Sequence, residues 1–165
     1  MISLLSDAYG IIPDINNAIK NIRKWTKIDK RSSNFPFSLF GAKSYVKYEA
    51  LGTVGMISPW NFPVNLAFVP LVSIFAAGNQ VMHKPSEHTP ITASLLKDLC
   101  DKTYDQNEFA TFLGGPEVGE SFTNLNFDHL LYTGSGQVAK HVFSKPACVV
   151  PGGRLPELKP TRCAH

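Results

Sequence analysis

The stretch that decides the fold runs from Gly52 to Glu87 and reads GTVGMISPWNFPVNLAFVPLVSIFAAGNQVMHKPSE. Its first block, Thr53 to Ser58, is a short apolar strand that ends at Pro59, because proline cannot donate a hydrogen bond to a sheet. The segment from Val64 to Ala77 is apolar almost throughout, as expected of a helix that packs on a buried sheet. Gln80 to Lys84 predicts a second strand. The stretch therefore predicts one complete β-α-β unit.

Polar side chains follow both strands of this unit. In open α/β sheets, ligands bind beyond the carboxyl ends of the strands. The loops at these ends carry Asn61, Lys84, Ser86 and Glu87. They are therefore the first candidates for a binding site.

Composition excludes several classes of protein. The chain has 165 residues, of which 44% are hydrophobic and 18% charged, and this composition predicts about one globular domain. Its net charge is +3. The basic residues between Lys20 and Arg31 are interpreted as a solvated helix face rather than a site for a polyanion. No nucleic-acid partner is therefore predicted. Three unevenly spaced cysteines predict neither disulfides nor a metal site and fit a cytoplasmic protein. No signal peptide is visible, and the apolar run from Ala67 to Ala77 is too short to cross a membrane, so no membrane partner is expected.

Strands and helices continue to alternate beyond the central unit. The patterns predict a helix at 90–102, a strand at 108–113, a helix from 116 to about 123, a strand at 127–132 and a helix to about 143. Thr89 is the predicted N-cap of the first of these helices, with Pro90 at its first position. Short loops between alternating elements predict an α/β fold with a Rossmann-like, doubly wound parallel sheet.

The two ends of the chain differ from this pattern. Residues 1–30 show helical spacing, with Pro13 either at a kink or in the first turn of a second helix. Alternation from Ser44 to Ala50 predicts a strand. We divide the chain into a helical segment and loop (1–43), a strand of a small subunit-contact subdomain (44–51), the Rossmann-like domain (52–144) and an irregular, proline-rich tail (145–165).

Four motifs carry a family resemblance. They are PWNFP at 59–63, KPSE at 84–87, GGPEVG at 114–119 and YTGS at 132–135. Together they resemble the cofactor region of the NAD(P)-dependent aldehyde dehydrogenase superfamily, and most of all the branch that includes coniferyl aldehyde dehydrogenases. The resemblance covers roughly Ile2 to Phe143 and implies part of an aldehyde dehydrogenase fold. It further implies oxidation of a small-molecule aldehyde to a carboxylic acid with NAD(P)+, and full-length relatives that are homo-oligomers.

The resemblance assigns roles to individual residues. Asn61 matches the family's side-chain donor to the oxyanion; the alternative is an Asn that shapes a turn or caps a helix. Lys84 and Glu87 match its ribose-binding pair; the alternative is a surface ion pair. A carboxylate at the ribose disfavours a 2′-phosphate, so NAD is expected, with NADP left open by Lys84. The cofactor-binding residues implied are Ser58, Pro59, Trp60, Lys84, Ser86, Glu87, Gly114, Gly119, Gly134, Ser135 and Val138, and no metal ligand.

Some of these residues also have plain structural interpretations. Ser135 can cap the helix that follows it, with or without binding the pyrophosphate. Ser86 is more typical of a turn former. His83 and His88 are interpreted as incidental rather than catalytic.

Two catalytic groups of the family have no counterpart. Cys100 is predicted to be a small buried thiol in a helix, and Cys148 and Cys163 lie in the tail. Glu157 does not match the family's general base. We therefore predict no dehydrogenase turnover by this chain alone. The alternatives are a non-catalytic nucleotide-binding or assembly fragment and a decayed product that does not fold stably. The tail is hypothesised to be an out-of-frame or otherwise foreign ending.

Overall fold

The computed structural model describes residue 7, residues 9–33 and residues 35–143. Its helices are α1 (Ile11–Trp25), α2 (Asn65–Ala76), α3 (Pro90–Thr103), α4 (Pro116–Thr123) and α5 (Gly136–Phe143). Its strands are β1 (Asp29–Arg31), β2 (Ser44–Val46), β3 (Thr53–Ile57), β4 (Gln80–Lys84), β5 (Phe109–Thr111) and β6 (His129–Tyr132), and a short 3-10 helix spans Phe37–Phe40. Among the described helices, none is long and apolar enough to cross a membrane.

Four strands form one parallel sheet in the order β5-β4-β3-β6. Ile57, the last residue of β3, is in register with Lys84 on one side and with Tyr132 on the other. The chain moves from β3 to β4 and β5 in one direction and then returns to place β6 beside β3. This reversal creates a crevice at the carboxyl ends of β3 and β6. The predicted α/β class with a parallel sheet is confirmed.

Helices cover the two faces of this sheet in pairs. On one face, Met56, Val81 and Phe109 pack with Leu71 of α2 and Cys100 of α3. On the other face, Leu130 and Tyr132 pack with Phe122 of α4 and Val142 of α5. The sheet is therefore doubly wound, as predicted.

The middle of the central strand requires a glycine. A Cβ atom at Gly55 would lie 2.7 Å from the Phe127 ring and 2.8 Å from Leu130 Cδ1. Real Cβ atoms do not approach neighbours so closely, because cores are packed without spare room. Gly55 thus allows Phe127 and Leu130 to pack directly against β3.

The predicted end of α2 is confirmed. Gly78 follows the helix with a φ of +81°, a left-handed conformation that glycine adopts without strain. Asn79 then ties the turn to the start of β3, since its Oδ1 accepts hydrogen bonds from Leu51 N at 2.7 Å and Gly52 N at 3.0 Å.

Several element bounds differ from the prediction. α1 ends at Trp25, and Asp29–Arg31 pairs antiparallel with Ser44–Val46, so the predicted helix to residue 30 is wrong and the predicted strand 44–50 is too long. Cross-strand pairing over only three residues on each side limits β2 to Ser44–Val46. Pro13 lies in the first turn of α1, one of the two predicted positions.

Two further predictions near α3 and β5 need correction. Thr89 occupies the N-cap position of α3 and Pro90 its first position, as predicted, but the Thr89 side chain makes no capping hydrogen bond, and Pro90 leaves one fewer N–H to cap. β5 is shorter than the predicted strand at 108–113, because its pairing with β4 covers only Phe109–Thr111.

The start of α2 is capped by a residue far away in the sequence. Asp7 Oδ1 accepts a hydrogen bond from Asn65 N at 2.7 Å, and its Oδ2 accepts one from Val64 N at 3.3 Å. Val64, at the N-cap position itself, has no side-chain acceptor. Asp7 thus satisfies helix N–H groups that α2 cannot satisfy locally.

We expect Asp7→Ala to lower the free energy of unfolding by about 1 kcal/mol, the usual cost of losing a helix N-cap. Urea denaturation followed by circular dichroism measures this change. Asp98→Ala, at an exposed position of α3, is the control and should change stability by less than about 0.5 kcal/mol. Equal stabilities for the two variants would contradict the capping role.

Candidate functional site

A pocket of about 440 Å³ opens at the carboxyl ends of the strands, between α4 and α5. Its lining residues are Ile57, Lys84, Glu87, Pro116, Gly119, Glu120, Thr123, Tyr132, Val138, His141 and Val142. Four of the residues predicted to bind cofactor line it, namely Lys84, Glu87, Gly119 and Val138. They come from three separate segments of the chain, which the parallel sheet brings together.

A lysine and a glutamate form an ion pair in the polar part of the pocket lining, which also contains Glu120, Thr123 and His141. Lys84 Nζ lies 2.7 Å from Glu87 Oε2, and the Lys84 side chain is only 3% exposed. The hydrogen bond from Lys84 holds the pKa of the Glu87 carboxyl below its usual range, so this group is ionised at neutral pH. The pair is not a surface ion pair, since its cation is buried. It presents a fixed carboxylate acceptor in the pocket lining.

Helix α4 approaches this ion pair closely. A Cβ atom added to Gly119 would lie 3.7 Å from Lys84 Cε, in ordinary van der Waals contact. Gly119 therefore leaves an open space beside the lysine that any side chain would begin to fill. This space is part of the pocket.

The start of α5 carries the predicted pyrophosphate residues. Ser135 Oγ accepts a hydrogen bond from Val138 N at 3.4 Å, so its predicted capping role is confirmed. The Tyr132 hydroxyl donates to the Ser135 carbonyl at 3.3 Å, and a side chain at Gly134 would collide with this hydroxyl. Neither Gly134 nor Ser135 lines the pocket itself.

Ser58 faces away from the pocket. Its Oγ lies 2.8 Å from His83 Nε2, and both side chains are buried. His83 is in register with Met56, which packs on the face covered by α2 and α3. Burial and the neighbouring charge of Lys84 lower the pKa of His83 to about 4, so the ring is neutral at neutral pH. The sequence does not reveal this partnership, because it depends on the register of β3 and β4.

The other predicted residues lie outside the pocket. Trp60 and Asn61 are exposed in the loop after β3, and Pro59 precedes them. Ser86 Oγ accepts a hydrogen bond from His88 N at 3.3 Å, which confirms its role in a turn. Gly114 begins the turn into α4, where a side chain would collide with Val118.

Cys100 is a buried thiol, as predicted. Burial raises its pKa, so the thiol stays protonated and unreactive. Within the described residues, no group of His, Cys, Asp and Glu side chains could hold a metal ion. Cys148, Cys163 and the predicted irregular tail lie outside the described residues.

The profile of the aldehyde dehydrogenase family matches residues 5–151. The chain belongs to this family. A relative from Caulobacter vibrioides named "Probable coniferyl aldehyde dehydrogenase" is 49% identical over 144 residues, which are 87% of this chain and 30% of the relative. The chain thus spans about a third of the length of an aldehyde dehydrogenase that it matches.

Solved aldehyde dehydrogenase structures contain the same fold. The substrate-bound state of Staphylococcus aureus AldH matches with a TM-score of 0.81 and 38% identity, over 87% of this chain and 31% of that one. An NAD-dependent benzaldehyde dehydrogenase from Corynebacterium glutamicum matches with a TM-score of 0.67 and 28% identity, over 88% of this chain and 33% of that one. The fold of this chain therefore corresponds to a part of this larger fold.

We expect the buried histidine to make stability depend on pH. An unfolded His83 takes up a proton near pH 6.5, whereas the folded one does so only near pH 4. Its contribution is complete above pH 6.5 and is lost as the pH falls towards 4, with a total loss on the order of 3 kcal/mol. Urea denaturation at several pH values measures this loss.

The matched variants for this experiment are His83→Gln and His88→Gln. The first should flatten the fall in stability between pH 6.5 and 4, and the second, at an exposed loop position, should leave it in place. An equally steep fall in His83→Gln would contradict the assignment.

Proposed function

We propose that this chain is the NAD-binding part of an aldehyde dehydrogenase, and that the pocket between α4 and α5 holds the adenosine half of the dinucleotide. The observation that carries the proposal is the buried Lys84 with its partner Glu87 in the lining of this pocket. Ligands of open parallel sheets bind at this edge and at such a reversal of strand order. The NAD-dependent structural relative supports the choice of cofactor.

The pocket matches the chemistry of a nucleoside. The ionised Glu87 would accept hydrogen bonds from the ribose hydroxyl groups, and Lys84 Nζ would keep that carboxylate in place and donate to the same sugar. Apolar side chains, including Val138 and Pro116, would contact the flat adenine base. A 2′-phosphate would lie against the negative charge of Glu87, so NAD is favoured over NADP.

The reacting end of the dinucleotide would lie beyond this pocket, near the loop after β3. NAD+ supplies the acceptor for the hydride of the aldehyde. The side-chain amide of Asn61 would donate a hydrogen bond to the oxyanion that forms at the aldehyde carbon. Its exposure in the loop leaves it available for that contact.

The proposed activity of the whole enzyme is oxidation of an aldehyde to a carboxylic acid. The Caulobacter relative is named for coniferyl aldehyde, so an aromatic aldehyde of this kind is the first substrate to test. For the 165-residue chain by itself we propose binding of NAD without turnover of an aldehyde. The cysteine among the described residues is Cys100, and its thiol is buried and protonated. We further propose that the full enzyme works in a reducing cytoplasm and that several copies of it form an oligomer.

The direct test is isothermal titration of the purified chain with NAD+ and NADP+, together with an assay of NADH formation from coniferyl aldehyde. We expect NAD+ to bind at least about tenfold more tightly than NADP+, and no NADH to form. Glu87→Gln should weaken NAD+ binding by about tenfold and bring the two affinities together, because it removes a charged hydrogen-bond acceptor.

The control for Glu87→Gln is Asp101→Asn. Asp101 pairs with Lys97 on α3, away from the pocket, at an Nζ–Oδ2 distance of 2.5 Å. This variant should leave both affinities unchanged. Binding of neither dinucleotide by the unmodified chain would refute the proposed function, and rapid NADH formation would refute the proposed lack of turnover.

We expect Gly119→Ala to change stability and binding in opposite directions. An alanine inside α4 favours the helix by about 0.5–1 kcal/mol relative to glycine. Its methyl group would occupy the space beside Lys84 and weaken NAD+ binding several-fold. Thermal unfolding and titration measure the two effects, and Ser121→Ala on the exposed side of the same helix is the control for binding. Unchanged affinity in Gly119→Ala would place the ligand elsewhere.

A further inference from the structure

The loop of residues 59–63, here named the site loop, leaves the sheet from a firmly held residue. Ser58 N donates to the Lys84 carbonyl at 3.2 Å, and Thr133 N donates to the Ile57 carbonyl at 3.0 Å. Ser58 Oγ and His83 Nε2 add a side-chain hydrogen bond of 2.8 Å. Immediately beyond Ser58 the chain emerges into solvent, and Trp60 is 59% exposed.

The hydrogen bond between Ser58 and His83 lies in the interior. Ser58 is 3% exposed and His83 is 2% exposed. The His83 ring also has an apolar neighbour, since it lies 5.9 Å from the Phe109 ring. A buried hydrogen bond is costly to break, because water cannot replace the lost partner. The orientation of Ser58 is therefore tightly defined.

Prolines restrict the backbone at both ends of the site loop. Pro59 restricts Ser58 to an extended backbone, and its own ring fixes φ near −65°. Few free dihedral angles then separate Ser58 from Trp60. At the far end Pro63 is followed by Val64 and Asn65, whose N–H groups are held by Asp7.

We propose that His83 is a positioning residue, whose hydrogen bond to Ser58 Oγ sets the direction in which the site loop leaves β3 and so places Trp60 and Asn61 beside the dinucleotide. The contact with the dinucleotide rests on the proposed function, whereas the control of the loop does not. His83 points to the sheet face opposite the pocket, so it acts through Ser58 and not by touching the ligand. Its low pKa, about 4, supports this role because a neutral ring keeps the bond intact at neutral pH.

Trp60 provides a direct readout of the loop. The sequence has two tryptophans, so a Trp25→Phe background leaves Trp60 as the one fluorophore of its kind. In this background the test variant is the double substitution Ser58→Ala with His83→Phe, which replaces both polar partners with apolar groups and avoids a buried unpaired atom. The control is Thr111→Val. Thr111 is in register with His83, and its buried Oγ1 has no hydrogen-bond partner among the described residues.

Three measurements follow for each folded variant. Steady-state anisotropy of Trp60 without ligand reports the order of the loop, and titrations with NADH and AMP compare a ligand that reaches the loop with one that does not. We expect the double variant to show lower Trp60 anisotropy and an NADH affinity reduced by about five- to tenfold, with AMP changed by less than about twofold. Thr111→Val should match the Trp25→Phe parent in all three measurements. His83→Gln, whose amide can still bond to Ser58, should recover part of the loss.

The outcomes separate this inference from the proposed function. Unchanged anisotropy and an unchanged ratio of NADH to AMP affinity in the double variant would overturn the positioning role. Failure of the parent to bind either ligand would refute the proposed function, and the anisotropy would still decide the positioning role. If the double variant shows no cooperative unfolding, Ser58→Ala alone, which removes a single oxygen atom, undergoes the same measurements with the same expected outcomes.

Discussion

The parallel pairing of β3 with β4 on one side and with β6 on the other is the constraint on which the rest of the structure depends. It places Ile57, Lys84 and Tyr132 at one level of the sheet, so three loops meet at its carboxyl edge. The absence of a side chain at Gly55 allows this close packing. Because α4 and α5 follow β5 and β6, their position over the pocket is also a consequence of the strand order.

The site combines a local element with a non-local one. Lys84 and Glu87 are three residues apart, so their ion pair needs only the end of β4 and the turn that follows it. The pocket around them needs α4 and α5, which lie far along the chain. Charge at this site is therefore fixed by a short motif, whereas its shape depends on the whole sheet.

Local signals made much of this fold predictable. Pro85 and Gly78 bracket β4, and its bounds agree with the prediction because both residues act through their own backbone. The start of α4 was predictable for the same reason, from Pro116. By contrast, β1 consists of Asp29, Lys30 and Arg31, whose side chains give no strand pattern, and only its pairing with β2 defines it. The Ser58–His83 bond and the Asp7 cap join residues 25 and 57 or 58 positions apart, and no local pattern specifies such contacts.

The order of the strands has a consequence for how the chain acquires its structure. The Asp128 carboxylate accepts a hydrogen bond from Thr53 N across 75 residues of sequence, and β6 then completes the second side of β3. During synthesis β3 can pair with β4 early. The other edge of β3 stays unpaired until β6, near the end of the described chain, has left the ribosome. Contacts of such long range slow folding, because the entropy of closing a large loop must be overcome first. In that interval the apolar central strand has an open edge, which makes the nascent chain most susceptible to aggregation before β6 arrives.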